Sequence, residues 1–324
     1  MKLMIDIANI LINGRYLFKD DHIHLYNGGS SLSFKMDGNG FKVYLSSKPI
    51  PGYFYIIIDR DYANASKVLV SDKPFTYSFK ERGIHYIDIV KANEATDNNL
   101  VIEDIIVRGK LLRNDHQYYK KVRVFGDSTV AGFGILSHND NPSIHNADSV
   151  RDFVYHALYD FNMEMDIVSA SGWGLTFSSY TCPKNIGVID FIDKLCVNSN
   201  IDYEDHFKED IMIISLGCND NSYISEDKSL RDTRINYFKR QYQNLIDHEI
   251  RNNSNLKILM VYGTLKEEDA YYLYEETYEY LKPLYKNLYI HKFKGDNTAI
   301  SNHAYVAHHD EMAEELKSVI KSLL

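Results

Sequence analysis

Four positions, each set behind or ahead of an apolar segment, carry the residue types that acyl transfer needs. Ser128 follows the run VRVF with Gly126-Asp127 between them. Gly172 follows MDIVSAS, Asn219 follows DIMIISLGC, and His303 follows Asn302 just ahead of the final amphipathic segment. Serine is a weak nucleophile until a neighbouring base accepts its proton in the transition state, and histidine is the usual base. A glycine lets backbone approach a substrate without a side chain in the way. An asparagine amide is a neutral, non-titrating donor for a developing oxyanion. Each position also has a plainer reading. Asp127 or Ser128 can simply cap a helix, Gly172 and Gly217 can be turn glycines, and Asn219-Asp220 can be a turn or cap. His303, one of 13 histidines, can be a surface residue. The chemical reading requires all four to meet at one place.

The surrounding segments predict that meeting. From Val122 onward, VRVF, MDIVSAS, DIMIISLG, LKILMVYG and NLYIHKF read as five strands. DIMIISLG is almost continuously apolar, as in a strand covered on both faces. Between them lie helical segments. In DSVRDFVYHALYDFNME the residues Val150, Phe153, Val154, Ala157, Leu158 and Phe161 make one apolar face. FKRQYQNLIDHEI, AYYLYEETYEYLKPLYKN up to Pro283, and DEMAEELKSVIKSLL are the others. Strands alternating with helices imply a three-layer α/β/α domain around a five-stranded parallel sheet. Ligands in such sheets collect beyond the carboxyl ends of the strands, where Ser128, Gly172, Asn219 and His303 would all fall.

Up to Leu112 the pattern is different. HIHLYNGGSSLSFKM, GFKVYLSS, GYFYIIIDRDY, SKVLVSD, GIHYIDIVKA and LVIEDIIV are short, β-branched and aromatic, with NGGSS, DGNG and KPIPG as turns between them. This predicts an all-β sandwich of jelly-roll type. The polar stretch Arg113 to Lys121 is the junction, giving a β domain over 1–115 and a catalytic domain over 116–324.

A formal net charge of −9 argues against nucleic acid or an anionic membrane as partner. No run approaches the ~20 apolar residues of a membrane helix. The start, MKLMIDIANILINGRYLF, lacks the features of a secretory signal. Cys182, Cys196 and Cys218 form no metal-like pair and leave one unpaired under any disulfide scheme. Together these favour a cytoplasmic protein, or a secreted one if a leader has been trimmed.

The four blocks, in the order Ser, Gly, Asn, His, resemble those of the SGNH, or GDSL, hydrolase superfamily. The β-rich region resembles the N-terminal jelly roll of carbohydrate esterase family 2, through Gly14-Arg15, YFYIIIDRD, GIHYIDIVKANEA and LVIEDIIVRGKLL. HAYVAHHDEMAEEL follows the superfamily's His-led helix start. The resemblance implies Ser128 as nucleophile and His303 as general base and acid. It implies an oxyanion hole made by the backbone N–H groups of Ser128 and Gly172 and the Asn219 amide. Asp127 and Asp220 would brace loops. Trp173, the only tryptophan, either packs at the sheet edge or walls a pyranose ring. Tyr305 is a second candidate for substrate contact.

Two positions depart from the superfamily pattern. The carboxylate usual two or three residues before the histidine is replaced by Ser301 and Ile300, and Asp296 lies farther back. Some family 2 esterases work with a Ser–His dyad whose imidazole is held by a backbone carbonyl, so a dyad is expected here. His308 stands where a glycine is usual, and either points into the cleft or alters the last helix start.

The resemblance implies a serine esterase that removes O-acetyl groups from xylan- or mannan-type saccharides, with no metal or organic cofactor and an acetylated saccharide as partner. The alternatives are a lipase- or thioesterase-like enzyme on longer acyl chains, an O-acyltransferase, and a carbohydrate-binding protein without catalysis.

Overall fold

The computed structural model describes every residue except 1–8, 139–140, 180–181, 184, 252 and 267. The opening residues MKLMIDIA, part of the segment read for a leader, lie outside the described residues.

Eight antiparallel strands form the first unit: β1 Ile10–Asn13, β2 Tyr16–Lys19, β3 His22–Leu25, β4 Ser31–Lys48, β5 Tyr53–Ile58, β6 Ser66–Leu69, β7 Phe75–Lys91 and β8 Asn99–Leu112. Their order is β2-β3-β8-β4-β7-β5-β6, with β1 also paired to β4. The long strands β4, β7 and β8 carry the sheet round on itself in the expected jelly-roll-like manner. Phe34, Met36, Phe41, Val43, Ile56, Ile87, Ile89 and Ile102 fill its interior.

One turn expected from the sequence is absent. DGNG, residues 37–40, lies inside β4, where pairing with β7 shifts between Gly38 and Gly40. Leu32, Phe34 and Met36 are buried at even numbers, Phe41 and Val43 at odd ones. A strand alternates faces with period two, so the irregularity resets the parity and keeps both halves on one core.

The second unit has β9 Lys121–Gly126, β10 Glu164–Ser169, β11 Ile211–Ser215, β12 Lys257–Tyr262 and β13 Leu288–Lys292. They form one sheet in the order β10-β9-β11-β12-β13, and every pair is parallel. All five residues of β11 are buried. Ile211 and Ile213 face a core shared with α2 (Phe153–Asp160) and α6 (Val306–Leu323), through Val154, Leu158, Met312, Leu316 and Ile320. Met212 and Ile214 face the opposite core, filled by Phe238, Leu245 and Ile246 of α4 (Arg231–Ile250) and Leu273 and Leu281 of α5 (Glu268–Leu281). The unbroken apolar run therefore serves two layers at once. Helix α6 begins at Val306, four residues ahead of the segment expected from the sequence.

The two units share a core. Tyr55, Ile57 and Val90 of the antiparallel sheet, with Ala92 just past β7, join the α2–α6 layer. Buried Arg15 ties the units further, donating to Asp166 Oδ2 at 3.3 Å and to the Ile192 carbonyl at 2.7 Å. Between β10 and β11 the described residues hold little regular structure beyond a 3₁₀ turn at Val188–Phe191. No helix of the described residues is long and apolar enough to cross a membrane. None of the three cysteines is in a disulfide.

Candidate active site

Gly126 at the end of β9 is level with Ser169 of β10 and Ser215 of β11. The segments that follow these three residues therefore leave the sheet at one edge. That register brings the blocks of Ser128, Gly172 and Asn219 together.

Ser128 opens the one-turn helix α1 (Ser128–Ala131). Asp127 takes the capping role, accepting from the Thr129 N–H and hydroxyl, both at 3.0 Å. The Ser128 hydroxyl is thus not spent on the helix end, and it lies 2.8 Å from Nε2 of His303. His303 follows a 3₁₀ turn, Ile300–Asn302, in which Ser301 and Asn302 both adopt positive φ, 53° and 61°. This left-handed pair turns the chain so that the Ile300 and Ser301 carbonyls each come within 3.1 Å of His303 Nδ1. Carbonyls only accept, so Nδ1 carries the proton and Nε2 presents its lone pair to Ser128. The loop is sewn to the segment after α1, with Ile300 N–H on the Ser137 carbonyl at 3.2 Å and Val306 N–H on Ile135 at 2.9 Å. Burial pushes the His303 pKa down, and the two carbonyls oppose part of that shift.

Among the described residues no carboxylate is bonded to the imidazole. Asp296 accepts from the Thr298 hydroxyl at 2.6 Å and the Tyr305 N–H at 3.4 Å, which ties its loop to the start of α6. His308 is bonded at Nε2 to the Lys294 carbonyl at 2.6 Å and at Nδ1 to Glu311 at 3.2 Å. It fastens the first turn of α6.

Gly172 has φ +81°, and its carbonyl accepts from the Ser179 N–H at 2.7 Å. Asn219 sits in the first turn of α3 (Cys218–Ser225) and donates from Nδ2 to the Trp173 carbonyl at 3.2 Å. One hydrogen bond therefore links Asn219 to the residue after Gly172, and the amide keeps a second N–H. Gly217, just before α3, has φ +151°, and a Cβ there would meet the Tyr274 ring at 2.8 Å. Asp220 is fully buried and accepts from Leu175 N–H at 2.7 Å, and from Thr176 N–H, Thr176 hydroxyl and Phe177 N–H at 2.9 Å. It organises the loop beyond Gly172.

Trp173 is only 3% exposed, and its ring meets Phe191 edge-on at 5.3 Å. Of its two expected roles it has the packing one, because a ring so enclosed has no face left for a sugar. Tyr305 is half-buried and stacks on His138 at 3.9 Å between ring centres. Two neighbours of the site carried no signal in the sequence. Phe133 lies 4.9 Å from the His303 ring, and His138 bonds the Thr298 carbonyl at 2.8 Å while stacking on Tyr305. Both follow Ser128 in an irregular stretch with no periodicity to single them out.

The fold that positions these groups is that of solved family two carbohydrate esterases. One from Clostridium thermocellum, in complex with cellohexaose, superposes with a TM-score of 0.84 at 22% identity, covering 97% of this chain and 98% of that one. An acetyl xylan esterase from Butyrivibrio proteoclasticus gives 0.85 at 15% identity, covering 98% and 96%. A salicylyl-acyltransferase from a tetracycline biosynthetic pathway gives 0.70 at 10% identity, covering 99% and 97%. No protein-family model and no curated protein matches the chain.

Proposed function

We propose that this chain is a carbohydrate esterase that removes O-acetyl groups from xylan- or mannan-type saccharides through a Ser128–His303 dyad. The observation that carries the reading is the 2.8 Å contact between Ser128 Oγ and the imidazole nitrogen that bears the free lone pair. Supporting it is the similarity in fold, over nearly the whole length of both chains, to an acetyl xylan esterase and to an esterase bound to a glucose oligomer.

In this reading His303 Nε2 takes the Ser128 proton as Oγ bonds to the acetyl carbonyl carbon. The negative charge passes to the carbonyl oxygen, where the N–H groups of Ser128 and Gly172 and the Asn219 amide receive it. Collapse of that intermediate breaks the bond to the sugar oxygen, which leaves with the proton from Nε2. Water then gives a proton to Nε2 and attacks the acetyl-serine. Acetate departs, and the proton returns to Ser128 Oγ. Each donor acts on charge present only beyond the ground state, so its contribution falls on kcat.

Acetate release from acetylated xylan and mannan fragments tests the reading, with Ser128→Ala as control. Release that survives the substitution refutes it. A strong preference for octanoyl over acetyl nitrophenyl esters replaces the deacetylase with a long-chain esterase. A second reading, acyl transfer to an alcohol acceptor, is favoured by the fold shared with an acyltransferase. It requires acetyl to appear on an added sugar faster than acetate appears in water.

A further inference from the structure

We infer that Glu94, supplied by the antiparallel unit, is a positioning residue for the oxyanion-binding loop of the parallel unit. The inference rests on the assignment of Gly172 N–H to the oxyanion. Glu94 lies in the turn between β7 and β8 and is 5% exposed. Its Oε2 accepts the Ser171 N–H at 2.6 Å, across 77 positions of sequence.

The geometry gives that bond a consequence. Gly172 N–H and the Ser171 carbonyl belong to one planar peptide, in which N–H and C=O point in opposite directions. The Ser171 carbonyl is met from one side by the Cys182 thiol at 3.8 Å. Glu94 holds the preceding peptide, through the Ser171 N–H. With both planes around Ser171 held, the direction of the Gly172 N–H is set before substrate arrives.

The turn that presents Glu94 is itself fixed. Buried Lys91 donates to the carbonyls of Asn93 and Glu94. Asn93 receives the Tyr53 N–H at 2.7 Å and donates to the Ile144 carbonyl at 3.0 Å. Ser149 N–H reaches the Ala92 carbonyl at 2.8 Å. Burial, with the Asp97 charge adding to it, pushes the Glu94 carboxyl up to about 7, against the Ser171 and Thr96 hydrogen bonds. A carboxyl group buried there, with its Oε2 on the N–H of the residue before Gly172, fits a role in aiming that loop.

The test compares Glu94→Ala, Glu94→Gln and Glu94→Asp in the full chain, with Ser128→Ala in the same acetyl-ester assay. Glutamine keeps an acceptor oxygen at the same reach, whereas alanine removes it and aspartate withdraws it by one methylene. Expected is a 10- to 100-fold loss of kcat per folded molecule in Glu94→Ala with KM within twofold, the order of loss caused by misplacing a catalytic group by about 1 Å. Glu94→Gln should restore kcat to within about threefold of the parent, and Glu94→Asp should not. Exchange of the Ser171 and Gly172 amide hydrogens should quicken in Glu94→Ala and not in Glu94→Gln, a readout that needs no activity.

An unchanged kcat in Glu94→Ala, or a raised KM at constant kcat, overturns the inference. If Glu94→Ala does not fold, a Glu94→Asp enzyme with parental kcat and parental amide exchange overturns it. An active Ser128→Ala overturns the esterase reading instead, and the amide exchange then decides the positioning claim alone.

Discussion

His303 Nε2 lies 2.8 Å from Ser128 Oγ although 175 positions separate the two residues in the chain. The contact forms because the loop bearing His303 is bonded to the segment immediately after Ser128. A base that is also buried resists protonation, since charging the ring loses hydration that the two carbonyls restore only in part. The acid limb of kcat/KM should therefore have its midpoint below 6.5, the ordinary imidazole value from which burial moves His303. Activity should fall as pH drops through that midpoint, as the ring takes up a proton and can no longer accept one from serine. A pH profile of acetyl-ester hydrolysis checks this, and a midpoint above 6.5 contradicts it.

Asp296 holds Thr298 and Tyr305, not the imidazole, whose Nδ1 is already placed by the carbonyls of Ile300 and Ser301. Asp296→Ala should lower kcat by less than about tenfold, through a looser loop. His303→Ala should lower it by a thousandfold or more, as removing a catalytic base does elsewhere. Equal losses in the two variants would show that the carboxylate serves the base after all.

Asn219 gives one amide hydrogen to the Trp173 carbonyl and retains another. Asn219→Ala should reduce kcat by about 10²- to 10³-fold with little change in KM, the usual effect of removing an oxyanion donor. A rise in KM at constant kcat would assign the residue to ground-state binding.

Much of this arrangement was readable in the sequence because it is written in local periodicity. The continuous apolar run of β11 announced a strand covered on both faces, and the four blocks announced a shared edge. DGNG misled because glycines that mark a turn also mark a bulge within a longer strand, and only the partner strands decide between them. Trp173 was undecided because its burial depends on Phe191, 18 positions away in a stretch with no periodicity to read. Glu94 was visible in KANEA as a residue of the resemblance but not as a neighbour of Ser171. A hydrogen bond across 77 positions leaves no trace in either segment alone.

His309 offers a test of packing apart from catalysis. It is fully buried in α6, and its Nδ1 accepts the Phe153 N–H at the start of α2, at 3.2 Å. Burial, aided by the charges of His308 and His303, holds its pKa down at about 3, with Asp296 opposing. A histidine depressed in the folded state contributes stability that is complete above its unfolded value near 6.5 and is lost as pH falls toward the folded value. The loss approaches about 1.4 kcal/mol per pH unit for one proton. His309→Asn keeps an acceptor near the Nδ1 position and removes the titration. Between pH 6.5 and 4 the thermal midpoint of the parent should fall more steeply than that of His309→Asn; parallel curves would contradict the assignment.

The central claim is that Ser128 is a nucleophile made reactive by His303. Labelling by a fluorophosphonate, followed by peptide mapping, measures this without any choice of sugar. Predicted is one adduct, on Ser128, forming at least a hundredfold more slowly in His303→Ala and at nearly the parental rate in Asp296→Ala. An unlabelled Ser128, or labelling of His303→Ala at the parental rate, would contradict the claim.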